Sequence, residues 1–274
     1  MGTLYLVATP IGNLEDITLR ALRILKEVPL IAAEDTRKTR VLLQHFGINT
    51  PLTSYFEHNK LTKLNYILGQ LAEHDVALVS EAGMPGISDP GYELVRAAIA
   101  RGFTVSPIPG PSALVAAVAV SGLPTDRFCF LGFLPRKRAE RRRRLREVVA
   151  ERSTLVWYEA PHRIVETLED ILDVLGDREM AAAVELTKIY ERVHRGRVSE
   201  VLAFFRQTPP RGEFVLVVHG ATPSPPAEET VVEALLSAAL ARGLGAKEAA
   251  AEVARATGRS RREVYDLLLR RRKM

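Results

Sequence analysis

The chain has 274 residues, of which 47% are hydrophobic and 26% charged, with a formal net charge of +5. These proportions belong to folded, water-soluble chains and exclude a disordered or fibrous one, and the length predicts two domains with room for a small appendage. The longest apolar run, residues 113–120, falls far short of the roughly 20 residues that a membrane-spanning helix needs, so no membrane association is expected.

The single cysteine, Cys129, lies between phenylalanines and reads as an inert core thiol. With no basic, cleavable leader at the start, it predicts a reducing, cytoplasmic setting. The charge is unevenly spread: residues 136–146 read RKRAERRRRLR, and Arg255, Arg259, Arg261, Arg262, Arg270, Arg271, Arg272 and Lys273 crowd the end of the chain. A polyanion such as nucleic acid accounts for both clusters, and solvated helix faces in an arginine-rich chain are the simpler alternative.

Taken in order, short apolar runs at 4–8, 30–33, 76–80 and 103–108 read as strands. Helical spacing at 18–26 (Leu19, Leu22, Leu25) and 92–101 (Leu94, Ala98, Ile99) fills gaps between them, which predicts βαβ units on a mostly parallel sheet. Residues 111–120 are apolar all round and predict a buried helix. The turn cluster 121–124 (SGLP) opens a second series, with strands at 128–131, 154–158, 181–186 and 213–219 and helices near 137–150, 163–175 and 198–206.

Residues 221–226 (ATPSPP) form a stiff linker, since proline restricts both itself and its predecessor. An alanine-rich helix at 246–256 then stops at Thr257-Gly258. Ser260 and Glu263 make a capping box for a last helix that turns Val264, Leu267 and Leu268 inward. The expected fold class is α/β: two tandem α/β domains, 1–121 and 122–220, a linker at 221–229, and a basic, helix-turn-helix-like tail at 230–274. A ligand is expected in the cleft between the two α/β domains.

Phosphate-loop, dinucleotide-turn and nucleophile-elbow patterns are absent, and the six histidines, His45, His58, His74, His162, His194 and His219, lack ligand spacing, so no metal is expected. Four loops following predicted strands remain: TPIGNL at 9–14, EDTR at 34–37, SEAGMPGISDPG at 80–91 and PGPSA at 109–113. In an α/β sheet such loops carry ligand contacts. Rich in glycine and poor in lysine, they suit a ligand recognised through backbone groups rather than a bare phosphate.

These loops, with SGLP at 121–124, FLGFLPRK at 130–137, EAPHR at 159–163, ELTKIYE at 185–191 and GEFVLVV at 212–218, resemble in order and spacing the tetrapyrrole-methylase superfamily. Within it, the chain is similar to the ribosomal RNA small subunit methyltransferase I family along nearly its whole length. The resemblance implies two tandem α/β domains of the tetrapyrrole-methylase type that methylate a cytidine ribose 2′-hydroxyl of 16S rRNA, free or in the 30S subunit, in the decoding centre. It implies S-adenosylmethionine as cofactor and a homodimer. It also implies a cofactor site formed by Pro10, Ala82, Gly83, Ile87, Ser88, Asp89, Ser112 and Ala113 from the first domain and Tyr158, Glu159, Leu186 and Phe214 from the second.

A ribose hydroxyl becomes a good nucleophile on losing its proton, so a base within hydrogen-bond reach is expected. Glu34, Asp35, Glu81, Asp89, Glu185 and Lys188 are the candidates, with Glu34, Asp35, Glu185 and Lys188 favoured. Ion pairing of Asp35 with Arg37 and of Glu185 with Lys188 is the alternative. Arg37, Arg136, Lys137, Arg138, Arg141, Arg142, His162, Arg163, Arg261 and Arg262 are the expected RNA contacts. Two other readings stay open here: a corrin-ring methyltransferase of the same fold, and a non-enzymatic regulator whose tail binds DNA.

Overall fold

A computed structural model of the chain describes residues 2–222 and 229–271. Two compact units result, Met1–Gly220 and Ala221–Met274. The first contains two five-stranded sheets.

The first sheet is built from β1 (Thr3–Val7), α1 (Leu19–Glu27), β2 (Leu30–Ala33), α2 (Thr36–His45), β3 (Leu52–Ser54), α3 (Lys60–Glu73), β4 (Val76–Val79), α4 (Tyr92–Ala100) and β5 (Thr104–Ile108). Its strand order is β3-β2-β4-β1-β5 and every pairing is parallel. Strands β2 and β4 are buried at every position, as expected where helices cover both faces. Caps fix the helix starts: Thr18 accepts the amide of Ala21 at 3.1 Å and Asp35 that of Arg37 at 2.8 Å. Because the strands are parallel, the loops after β1, β2, β4 and β5 emerge on one edge. The crossovers leave β1 and β4 in opposite directions along the sheet, and between these two parallel strands Thr9 and Gly83 exchange two backbone hydrogen bonds of 2.9 Å.

Next comes α5 (Ala113–Ser121), capped by Ser112 and closed by Gly122 at φ 80°. It packs on the second sheet, where Ala117 and Val118 meet Val156, Ala183, Leu186 and Val215. The expectation of a helix buried all round is corrected here, since Val115 is 59% exposed and Val120 lies open beside it. Uniform apolarity had no polar face to mark the outer side.

The second sheet follows as β6 (Phe128–Phe133), α6 (Arg138–Arg146), β7 (Thr154–Glu159), α7 (Ile164–Leu175), β8 (Glu179–Val184), β9 (Arg192–Arg197), α8 (Val198–Gln207) and β10 (Phe214–Val218). Its order is β6-β7-β10-β8-β9, with only β6 and β7 parallel. A core of Trp157, Ile164, Leu168, Ile171, Val201 and Leu216 lies beneath α7 and α8. The second unit has α9 (Glu229–Ala241), α10 (Ala246–Thr257) and α11 (Arg261–Arg271) around Val232, Leu236, Val253, Val264 and Leu268. The Ser260–Glu263 capping box forms in both directions, at 2.9 and 3.2 Å. The linker prolines at 223–226, and the side chains of the arginines from 270 onward with Lys273, lie outside the described residues.

Candidate active site

The two sheets face a common cavity of about 580 Å³. From the first sheet come Ile11 after β1, residues 81–84 and 87–89 after β4, and residues 112–115 after β5. The second sheet supplies Phe133 at the end of β6, Tyr158 to Pro161 at the end of β7, Ala183 and Leu186 around the end of β8, and Glu213 to Val215 at the start of β10. Since β10 runs antiparallel to β7 and β8, its start reaches the same edge as their ends.

Left-handed backbone conformations gather in the loops around the cavity. Gly83 and Gly86 take φ of 80° and 86°, and Ser88, Glu185 and Thr187 hold positive φ without being glycine. Strain of this kind costs energy that the surrounding fold must supply, and it gathers at ligand sites. Gly12 is also required: a Cβ there would overlap Cγ of Lys188 and stand 3.0 Å from the carbonyl oxygen of Leu186. The β1 loop of one sheet therefore seats directly on the β8 loop of the other.

Among the described residues that line the cavity, every side chain with a formal charge is a carboxylate: Glu81, Asp89, Glu159 and Glu213. Asp89 is the most perturbed. Burial, followed by the charge of Glu34, raises its pKa from 3.8 to about 7, against a hydrogen bond from Ser80. Glu34 is half-buried and accepts the amide of Glu81 at 3.1 Å; burial pushes its pKa up as well. Lys38, which sequence reasoning did not single out, pairs with Glu81.

The remaining favoured bases serve other ends. Asp35 caps α2 and bonds Arg37 through two side-chain contacts of 3.2 and 2.9 Å, which hold its pKa at about 2. Glu185 accepts Lys188 at 2.8 Å and the amide of Glu213 at 2.9 Å; burial raises its pKa, but these bonds prevail and the net direction is down. Lys188 also reaches Glu213 at 3.1 Å, so with two carboxylates it stays protonated. Asp35 is thus engaged with Arg37 and the start of α2, and Glu185 with Lys188, the ion pairs that the sequence left open as the alternative.

Of the expected cofactor residues, Ala82, Gly83, Ile87, Ser88, Asp89, Ser112, Ala113, Tyr158, Glu159, Leu186 and Phe214 line the cavity, and Pro10 gives way to Ile11. The Glu159 carboxylate is committed to the fold, accepting the Thr167 hydroxyl at 2.7 Å and the Ala160 amide at 2.9 Å.

The arginine set divides. Arg141 is fully buried against Asp170, which corrects its assignment as an RNA contact. Arg142 is mostly enclosed by Asp170 and Asp173. Arg163 donates to the carbonyls of Leu134 and Pro135 at 2.7 and 3.1 Å and braces that loop. Arg37, Arg136, Lys137, Arg138 and His162 are exposed on the first unit, and Arg261 and Arg262 on the second. No group of three or more metal-ligating side chains occurs among the described residues, and no described helix is long and apolar enough to cross a membrane.

The family of Tetrapyrrole (Corrin/Porphyrin) Methylases matches residues 3–202, and the RsmI C-terminal HTH domain matches residues 225–272. A curated relative from Halalkalibacterium halodurans, ribosomal RNA small subunit methyltransferase I, is 49% identical over 97% of the chain and 94% of its own length. The chain belongs to the ribosomal RNA small subunit methyltransferase I family of tetrapyrrole methylases. Its counterpart from Escherichia coli O157:H7 is 47% identical over 98% of the chain and 95% of its own length.

Among solved structures, uroporphyrin-III C-methyl transferase from Thermus thermophilus, complexed with S-adenyl homocysteine, is similar with a TM-score of 0.56, at 25% identity over 79% of this chain and 97% of that one. Diphthine synthase shares the fold, with a TM-score of 0.63 at 16% identity over 81% of this chain and 91% of that one. The carboxylate-lined cavity is the candidate centre.

Proposed function

We propose that the chain transfers a methyl group from S-adenosylmethionine to the 2′-hydroxyl of a cytidine ribose in 16S rRNA, at the decoding centre of the small subunit. The observation that carries this reading is the cavity with carboxylates and no cationic side chain among its described lining residues. A sulfonium ligand is cationic; with Glu81, Glu159 and Glu213 each beside a cation of the fold, Asp89 is the lining carboxylate that favours it while disfavouring a phosphate. The volume falls within the range of roughly 300–1,000 Å³ that small-molecule sites occupy. Apolar Ile11, Leu186 and Val215 and the small Ala82, Ala113 and Ala183 suit the rest of a nucleoside, and the glycine-rich loops offer backbone donors.

When bound, S-adenosylmethionine supplies an activated methyl group on sulfur. Asp89 is the carboxylate best suited to receive the ribose proton, because a base with a pKa of about 7 is half ionised at neutral pH and still binds a proton well. Asp89 would take up the hydroxyl proton as the ribose oxygen receives the methyl group that the donor would supply. The walls align donor and acceptor, which supplies much of the rate gain.

Arg37, Arg136, Lys137, Arg138 and His162, all exposed, serve as phosphate contacts, as do Arg261 and Arg262 of the helix-turn-helix-like unit. The names of the relatives support rRNA as substrate, and we take the protein to act as a homodimer in the cytoplasm. Incubation with labelled donor and small-subunit particles, then alkaline digestion, tests the reading. Label in an alkali-resistant dinucleotide beginning with cytidine is expected; label on a base, or none, would sink it.

A further inference from the structure

Strand β6 contains an irregularity that its own sequence does not require. Phe130 pairs with Val156 and Phe133 with Tyr158, so two residues of β6 oppose one of β7 between these pairs. Gly132 sits in the bulge at φ 64°. In a regular strand, Phe133 would share a face with Leu131, which packs into the core beneath α7 and α8. The extra residue turns Phe133 over to the face of Phe130 and Tyr158, on the cavity side.

There Phe133 lines the cavity yet remains 56% exposed. Its ring leans edge-on against Tyr158, with centroids 5.6 Å apart, and Tyr158 leans in turn on Phe130 at 4.9 Å. Bulge and cavity loop meet, since a Cβ on Gly132 would lie 3.4 Å from Oγ of Ser88, itself strained at φ 61°. A fold that sets a phenylalanine in water beside a ligand site, when plain alternation would bury it, has a use for the ring outside the core. Just beyond it the Leu134-Pro135 loop is braced by Arg163, and the exposed Arg136 and Lys137 follow.

We propose that Phe133 is the stacking platform for the base of the nucleotide being methylated, with Arg136 and Lys137 holding its flanking phosphates. The inference rests on the ribose-methylation reading above and adds to it the group that grips the base. Single-stranded nucleotides are commonly held in this way, by an aromatic face next to cations that track the backbone. Tyr158, which lines the same cavity and is less exposed than Phe133, backs that ring edge-on. The exposed ring is left for the acceptor.

The test uses the full-length protein with Phe133→Ala, Phe133→Leu and Phe133→Trp. It measures methyl transfer to small-subunit particles, donor affinity by calorimetry, and thermal melting. Base stacking of the usual strength predicts a loss in kcat/KM for particles of about 10- to 100-fold in F133A. F133L should fare as badly as F133A, F133W should recover most of the lost rate, and donor affinity should fall far less than kcat/KM in F133A and F133L.

Three results would overturn the platform: F133A as active as wild type, F133L as active as F133W, or donor affinity falling in step with activity. The last would assign the ring to the donor's adenine or to the fold. Should F133A melt early, the comparison of F133L with F133W decides, since both keep a large apolar side chain. Wild-type protein that methylates no RNA would instead fail the underlying reading, and the platform with it.

Discussion

Nε of Arg141 donates to a carboxylate oxygen of Asp170 across 2.7 Å, and neither side chain reaches solvent. Arg138 and Arg142 join the same carboxylate at 3.0 and 3.1 Å. Burial alone would push the pKa of Asp170 up, but the three guanidinium partners outweigh it and the net direction is down. The most basic stretch of the chain is therefore bolted to α7 on one side, and only its other side is available to an external polyanion.

Breaking a buried pair typically costs about 3–5 kcal/mol, and because Arg138 and Arg142 remain on Asp170 the lower end applies here. Arg141→Ala should lose that much in denaturant unfolding, whereas Arg143→Ala, on the exposed side, should stay within about 0.5 kcal/mol of wild type. Because the folded-state pKa of Asp170 is depressed, the stabilisation is present above the unfolded value near 3.8 and fades as pH falls below it. Equal stability of the two variants would refute the partition.

Asp35 and Asp89 make opposite predictions although both follow strands of the same sheet. Asp35 at about 2 is too weak a base to matter, so Asp35→Ala should weaken α2 through loss of its cap and lower the melting temperature. The turnover of the folded fraction should be retained. Loss of turnover with unchanged stability would restore Asp35 to the chemistry.

Asp89→Asn should reduce kcat by about 10²- to 10⁴-fold, the usual range for a general base. In the wild type, kcat should rise with pH and level off above about 7, as Asp89 loses its proton. The sign for stability is reversed. With its folded pKa raised from 3.8 to about 7, Asp89 weighs against the folded state as pH climbs through that window. Asp89→Asn should therefore melt higher than wild type in alkaline buffer, and a flat pH–rate profile would remove Asp89 from the reaction.

Strands β1, β2, β4 and β5 and the capping box at Ser260 were legible in the sequence because each rests on local pattern: apolar runs, a hydroxyl at the helix start, a glutamate three residues on. Strand β3, with three residues, and β9, reading RVHRGR along a sheet edge, were not, since neither has an apolar run. The cavity loops could be named because a parallel sheet sends them all to one edge, and the resemblance supplied their partners on the second sheet. What separated Asp89 from Asp35, and Arg141 from Arg143, was burial and a partner distant in the chain. Arg141 meets Asp170 across 29 positions. No spacing rule encodes that. Phe133 was hidden for a similar reason: its motif contains Gly132, but the bulge that turns the ring outward arises only on pairing with β7.

Gly12→Ala tests the seating of one sheet's loop on the other's. The added methyl meets Lys188 and Leu186, and overpacking of this kind costs about 1–3 kcal/mol. If the cost falls on the cavity, donor affinity should drop by about tenfold or more, for 1.4 kcal/mol is a factor of ten. Unaltered donor affinity would mean that this contact does not shape the site.

Calorimetric titration of S-adenosylmethionine into wild-type protein and Ala113→Trp tests the central claim, that the cavity between the sheets holds the donor. Ala113 lines that cavity at the start of α5, and an indole there would occupy it. One equivalent should bind to the wild type, and at least about tenfold more weakly to a variant that still melts cooperatively. Equal binding by both proteins, or none by the wild type, would contradict the assignment.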